Sequence, residues 1–263
     1  MGIKVVGKKA QVTIFVIISI IVVSGVLLFL FTRPDTPNID DKPFENPESF
    51  LDSCMKEQVR HAIDFISSQG GFTQHRISMN FAFEDEDQSY EIEYLCYQSQ
   101  DYLQCINQEP MLFHHIKNEI QGFIESDVET CWTALNQKLE EEGYIVDANK
   151  KGYSVVLKEG RVSVPIEGEI ILTKSGETTK EENFNVNVAS ELYSLIKTAQ
   201  NIVTREAETC NFDYVRYMLV YPDLSIDRFT LGSGEEIYTI THRKTGERFR
   251  FAIRGCVIPA GYT

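Results

Sequence analysis

An α+β fold hung from one N-terminal transmembrane helix is predicted by three features of this sequence. Val12–Phe31 is an apolar run of twenty residues without a charge. Beyond it, three stretches carry apolar residues at helical spacing and the remainder alternates with period two between hairpin-like turns. Six cysteines, at 54, 96, 105, 131, 210 and 256, all follow the apolar run. The expected organisation is a basic leader over 1–10, a transmembrane helix over 11–32 and a Pro-rich stalk over 33–47. A helical-hairpin subdomain with a β-hairpin over 48–143 and an antiparallel β plus helix subdomain over 144–263 complete it, with about three helices in all.

As a helix the apolar run is roughly 30 Å long, the thickness of a bilayer's hydrocarbon core. Sixteen of its residues are Val, Ile, Leu or Phe. Together they favour insertion by roughly 5 kcal/mol, which Thr13, Ser19, Ser24 and Gly25 do not reverse. Lys4, Lys8 and Lys9 precede the run with no acid among them, whereas Arg33 is followed by Asp35, Asp40 and Asp41. The positive-inside rule therefore keeps the amino terminus in the cytoplasm and sends the domain out. A secretory signal cleaved near Ser24-Gly25 is the rival reading, but it would leave the apolar Val26–Phe31 as a free end. The stretch Arg33–Pro47 holds four of the chain's eight prolines. At about 3.1 Å per residue it spaces the domain roughly 40 Å from the lipid.

Residues 1–33 carry four positive charges and no negative one, so the whole-chain charge of −14 becomes −18 for the remainder. Such a surface repels phosphate backbones, which excludes nucleic acid as a partner, and it repels anionic head groups. Hydrophobic residues at 43% of the chain suffice for an ordinary core. An even number of cysteines on the outward side reads as three disulfides, although six allow fifteen pairings. No C-x-x-C is present, which disfavours a zinc ribbon or a redox dithiol.

Asn46-Pro47-Glu48 reads as an N-cap, a first-turn proline and an acid at the positive end of a helix dipole. The helix continues to about Ser68 on Leu51, Met55, Val59, Ala62, Ile63 and Ile66, and Gly70-Gly71 closes it. Residues 76–83 and 90–97 alternate as strands around the acidic turn Glu84-Asp85-Glu86-Asp87. A second helical pattern runs from about Pro110 to Glu142 on Leu112, Ile116, Ile120, Phe123, Ile124, Val128, Cys131, Leu135 and Leu139. From Tyr144 the pattern is β, with runs at 153–157, 162–173 and 182–188. A third helix over about 189–209 is followed by strands near 214–221, 225–231, 236–242 and 247–254. The helical stripes favour Cys54 with Cys131 as a staple between helices, and proximity favours Cys96 with Cys105. Cys210 with Cys256 then remains.

Catalytic templates find little. Five histidines never form a metalloprotease pair; His115 and Glu119 share a helix face at i, i+4, read as a solvated face. A calcium loop from Asp85 would need glycine where Tyr90 stands and glutamate where Cys96 stands. Gly232-Ser233-Gly234 lies between strands and not at a strand-to-helix elbow. No glycine-rich phosphate loop opens a helix, and no cofactor or metal is expected. Tyr90, Tyr94, Tyr97 and Tyr102 form the densest tyrosine group in the chain, to be weighed as a recognition surface for protein or glycan against ordinary packing.

Lys8-Lys9-Ala10-Gln11-Val12-Thr13-Ile14-Phe15 resembles an archaeal class III, prepilin-type signal. That resemblance implies cleavage after Ala10, leaving Gln11 first and the apolar helix attached. At the fifth mature position, where pilins keep a glutamate, stands Phe15, so the resemblance implies membrane retention more than filament assembly. The chain as a whole resembles single-span, outward-facing proteins of small-genome archaea, through Asn211-Phe212-Asp213-Tyr214 and Arg254-Gly255-Cys256; no catalytic residue comes with that likeness. The expectation is a non-enzymatic extracytoplasmic protein contacting another protein or an envelope component. The alternatives are a pilin-like subunit and an envelope enzyme whose site follows no motif.

Overall fold

Asn46 opens the first helix by accepting from the Ser49 N–H at 2.7 Å, with Pro47 in the first turn. The structure is a computed structural model that describes Ser24, residues 46–84 and residues 86–258. The expected leader, transmembrane helix and stalk, with Ala10 and Gln11, lie outside the described residues, Ser24, Asn46 and Pro47 apart. Among the described residues no helix is long and apolar enough to cross a membrane. Helix α1, Pro47–Ser68, buries the stripe expected of it. At its end Gly70 takes φ 85°, and a Cβ there would stand 2.9 Å from the Glu93 Cβ and 3.2 Å from its backbone. Only glycine fits that approach of helix end to strand.

Strands β1 (Ser78–Ala82) and β2 (Ser89–Tyr97) form the expected hairpin, and the short β3 (Ile106–Asn107) pairs with β2. The single helix expected over 110–142 is two, α2 (Leu112–Phe123) and α3 (Glu125–Glu141), meeting at Ile124. Tyr153 donates to the Gln121 carbonyl at 2.7 Å just before the break, and a side chain drawing on a ladder carbonyl is an established cause of such bends. The shared stripe is nonetheless buried from Leu112 to Leu139, Phe123 being half-buried.

Next comes a four-stranded antiparallel sheet centred on β6 (Arg161–Lys174). Its neighbours are β7 (Glu177–Ala189) on one side, and β4 (Ile145–Tyr153) with β5 (Val156–Lys158) on the other. α3 packs close over it: a Cβ at Gly168 would meet the Asn149 carbonyl at 2.9 Å and the Trp132 ring at 3.1 Å. Helix α4 (Leu192–Thr209) follows as expected. Residues 214–221, expected as a strand, instead give the short helix α5, Tyr214–Val220. Asp213 caps it by accepting from the Arg216 N–H at 2.9 Å, and Tyr214, Tyr217 and Met218 turn to the core at helical spacing. Five helices are therefore described where about three were expected.

The meander β8 (Leu224–Thr230), β9 (Glu236–His242) and β10 (Arg248–Arg254) completes a second sheet, in the order β1-β2-β10-β9-β8. Here β10 lies parallel to β2, an exception in an otherwise antiparallel fold. Phe44–Thr263 forms one compact unit, and α1 to α4 share one hydrophobic cluster with the inner faces of both sheets. Segments 48–143 and 144–263 both supply strands to the second sheet. Three disulfides close the structure. Cys54 and Cys131 join α1 to α3 with Cα atoms 5.9 Å apart. Cys96 and Cys105 close the loop before β3 at 5.3 Å, and Cys210 ties the end of α4 to Cys256 after β10 at 6.0 Å. These are the pairs favoured from the sequence, and paired thiols on this scale point to an oxidising compartment.

Candidate functional site

Strand alternation gives the sheet of β8, β9 and β10 a second face. Phe249, Phe251, Tyr238, Ile240 and Ile226 turn to the main core. Their neighbours turn outward, and the strand registers align them in three rows across the face. One row is Ser225, Thr241 and Arg248; the next is Asp227, Thr239 and Arg250; the third is Phe229, Ile237 and Ala252.

The β1–β2 hairpin arches over this face. β2 pairs with β10 only from Tyr94 onward, past which the hairpin leaves the sheet plane. Phe81 of β1 thereby reaches Phe229 of β8, with ring centroids 5.1 Å apart, although the two strands are opposite edges of the sheet. Ile92, Tyr94, Ile237 and Ala252 form a small second core beneath the arch. Where the arch ends, a cleft of about 690 Å³ opens over the two polar rows, with Phe83, Glu84 and Glu86 of the hairpin turn on its rim.

Arg250 fastens the arch. It is 4% exposed, and its guanidinium lies over the Phe83 ring at 4.0 Å and the Tyr90 ring at 4.7 Å while both terminal nitrogens donate to Glu86. Arg248 donates to the same carboxylate at 2.8 Å and the Tyr90 hydroxyl donates as well. Held first by Arg250, then by Tyr90 and Arg248, the Glu86 carboxyl falls from its ordinary 4.5 to about 2. Because the folded value is depressed, the stabilisation is present above pH 4.5 and is lost as pH falls toward 2. Full conversion of that shift would give roughly 3 kcal/mol; with solvent screening at a side chain 22% exposed, about 2 kcal/mol is expected. Glu86→Gln should therefore lower unfolding stability by about that amount near neutral pH. Urea titrations should show the gap from wild type closing between pH 4.5 and 2. A gap independent of pH would assign the loss to packing.

The charge balance of the cleft is decided by which groups are already paired. Arg248 and Arg250 share Glu86, and Arg228 pairs with Glu236 at 3.5 Å. Among the described residues Glu84 and Asp227 have no ion-pair or hydrogen-bond partner, and neither do the Ser225, Thr239 and Thr241 hydroxyls. The groups left open are thus two anionic acceptors and three hydroxyls that can donate or accept, with no free cation among them.

The tyrosine group does not form one exposed surface. Tyr94 is 5% exposed, packs edge-on against Tyr97 at 5.2 Å and has its ionisation pushed up by burial and then by Glu235. Tyr90 and Tyr97 are half-buried in the same small core; only Tyr102 stands out, at 58% exposure. Packing under the arch accounts for three of the four. The His115–Glu119 face, expected to be solvated, is half-buried. His115 lies 4.0 Å ring to ring from Phe72, and Glu119 accepts from the Thr73 N–H at 2.8 Å. Nearby Glu93, 1% exposed, accepts from the Arg76 and Ile77 N–H groups and faces His75 Nδ1 at 3.3 Å. These contacts clamp the loop between α1 and β1 onto β2 and α2. Among the described residues no three His, Cys, Asp or Glu side chains are grouped to hold a metal ion.

Comparison with protein-family models, with curated proteins and with solved structures finds no match to this chain.

Proposed function

We propose that this is a membrane-anchored, outward-facing binding protein, held by its apolar Val12–Phe31 run and presenting the cleft between hairpin and sheet to a partner. The pairing of all six cysteines around one core is the observation that carries the outward placement, since cytosolic thiols are kept reduced. The Val12–Phe31 run and its flanking charges support the anchor. Binding is favoured over catalysis by the lining itself. Its guanidinium groups are locked in ion pairs, and among the described residues no hydroxyl of the lining is hydrogen-bonded to a carboxylate or imidazole as an activated nucleophile would be, although Glu84 and Asp227 stand open as carboxylates.

Fractionation of native cells is expected to leave the protein in the membrane until detergent is added. Alkylation before and after reduction should expose thiols only after reduction. Six reduced thiols in a soluble cytosolic fraction would overturn the reading. The mass of the mature chain bears on the pilin-like alternative, because a chain beginning at Gln11 has been processed as that signal implies.

A further inference from the structure

The geometry points to a cationic ligand group, a guanidinium or ammonium, seated at the β8 end of the cleft. This deepens the binding reading above and rests on it. Asp227 lies at one end of its row and Arg250 at the other, two strand spacings or roughly 10 Å apart. The arginine end is neutralised by Glu86, whereas Asp227 has no partner among the described residues. Phe229, on the same face two residues along β8, is 51% exposed, and its ring is braced by Phe81. Beside Asp227 in the rows stand the Thr239 and Thr241 hydroxyls, which have no hydrogen-bond partner among the described residues. A carboxylate, hydroxyls able to accept and the face of an exposed aromatic ring together suit a multi-donor cation, which gains an ion pair, hydrogen bonds and a cation–π contact. The acidic chain, at −14 overall, attracts such a ligand from a distance.

The cation has two sources, a free small molecule or a basic side chain of a protein, and the probes separate them. Full-length protein in nanodiscs of neutral lipid is titrated by calorimetry with free argininamide, with a capped Gly-Arg-Gly-Arg-Gly peptide, with its citrulline analogue and with a capped Gly-Glu-Gly-Glu-Gly peptide. Expected is binding of an arginine probe at least tenfold tighter than the citrulline peptide, weakened by added salt. Asp227→Asn should lower affinity about tenfold and Phe229→Leu about fivefold, with the thermal midpoint of Asp227→Asn unchanged because that side chain is exposed and has no partner among the described residues. Tighter binding of the peptide than of argininamide marks a protein partner; equal binding marks a small cation. Equal affinity for arginine and citrulline peptides, or an unaffected Asp227→Asn variant, overturns the proposal. Preference for the glutamate peptide overturns it while leaving the cleft a binding site. Failure of every probe to bind counts against both readings.

Discussion

Replacing Cys54 and Cys131 together by alanine is expected to cost the folded domain about 4 kcal/mol, the largest loss from any one disulfide here. The bond closes a loop of 77 residues, against 46 for Cys210–Cys256 and 9 for Cys96–Cys105. If cross-linking acts chiefly by restricting the unfolded chain, the cost grows with the logarithm of loop length, and removing Cys96–Cys105 costs only about 2.5 kcal/mol. The long bond also fixes α1 against α3 within the main core, where Cys131 is 3% exposed, so its loss leaves a small packing defect as well. For a domain of this size the thermal midpoint should fall by about 10 °C, and by clearly less for the Cys96–Cys105 deletion. Calorimetry of the three double-alanine variants in the same detergent would measure the order. Equal losses would mean that native packing around each bond, and not loop closure, sets their worth.

Much of this architecture is legible in the sequence because it is local. The stripes of α1 and α4 need only one helical period, and β9 and β10 need only alternation bounded by turns. Helical stripes and proximity even constrain the thiols. Three features run against local propensity or depend on contacts distant in sequence. The run Tyr214–Val220 is rich in aromatic and β-branched residues, so propensity favours a strand, but a single capping hydrogen bond from the Arg216 N–H to Asp213 and core contacts at helical spacing prevail. The parallel β2–β10 pairing joins residues more than 150 positions apart, and no turn chemistry announces it. The cleft combines both difficulties, since Glu86 meets Arg248 and Arg250 only after the hairpin folds across the sheet. A signal for it does exist. Ser225-x-Asp227, Thr239-x-Thr241 and Arg248-x-Arg250 alternate polar groups against the apolar Ile226, Ile240 and Phe249, as expected of strands with one solvated side, with Arg228 the inward exception. The tyrosines mislead for the complementary reason: period two places Tyr90 and Tyr94 beneath the arch, a layer that sequence alone does not reveal.

The Glu206→Ala variant is expected to lose about 3 kcal/mol, because it strands two buried donors at once. Glu206 lies in the last turn of α4, where the helix dipole disfavours a negative charge, and it is only 5% exposed. Its place is explained by what it holds. One oxygen accepts from the Phe212 N–H at 2.9 Å, fixing the chain that leaves the helix, and from the Tyr238 hydroxyl at 2.7 Å, fixing the centre of β9. Tyr238 is fully buried and stacked on Phe251 with ring centroids 5.5 Å apart, so its hydroxyl loses the nearer of its two carboxylate acceptors when Glu206 is gone. Glu236 reaches that hydroxyl at 3.3 Å, but its own carboxyl is pushed up by burial and then affected by Arg228 and by Glu206 itself. A long bond to a group already paired with Arg228 is a poor substitute. Glu206→Gln keeps an acceptor oxygen at the same position and should recover most of the stability, whereas Tyr238→Phe removes donor and demand together and should cost less than Glu206→Ala. Equilibrium unfolding in urea of these three variants separates a satisfied network from simple volume: if Gln and Ala are equally damaging, it is the charge and not the acceptor that holds α4 to β9. Since β9 carries Thr239 and Thr241 on its outer side, loosening its inner anchor should also blunt binding in the cleft, by a factor that follows the stability loss across the three variants.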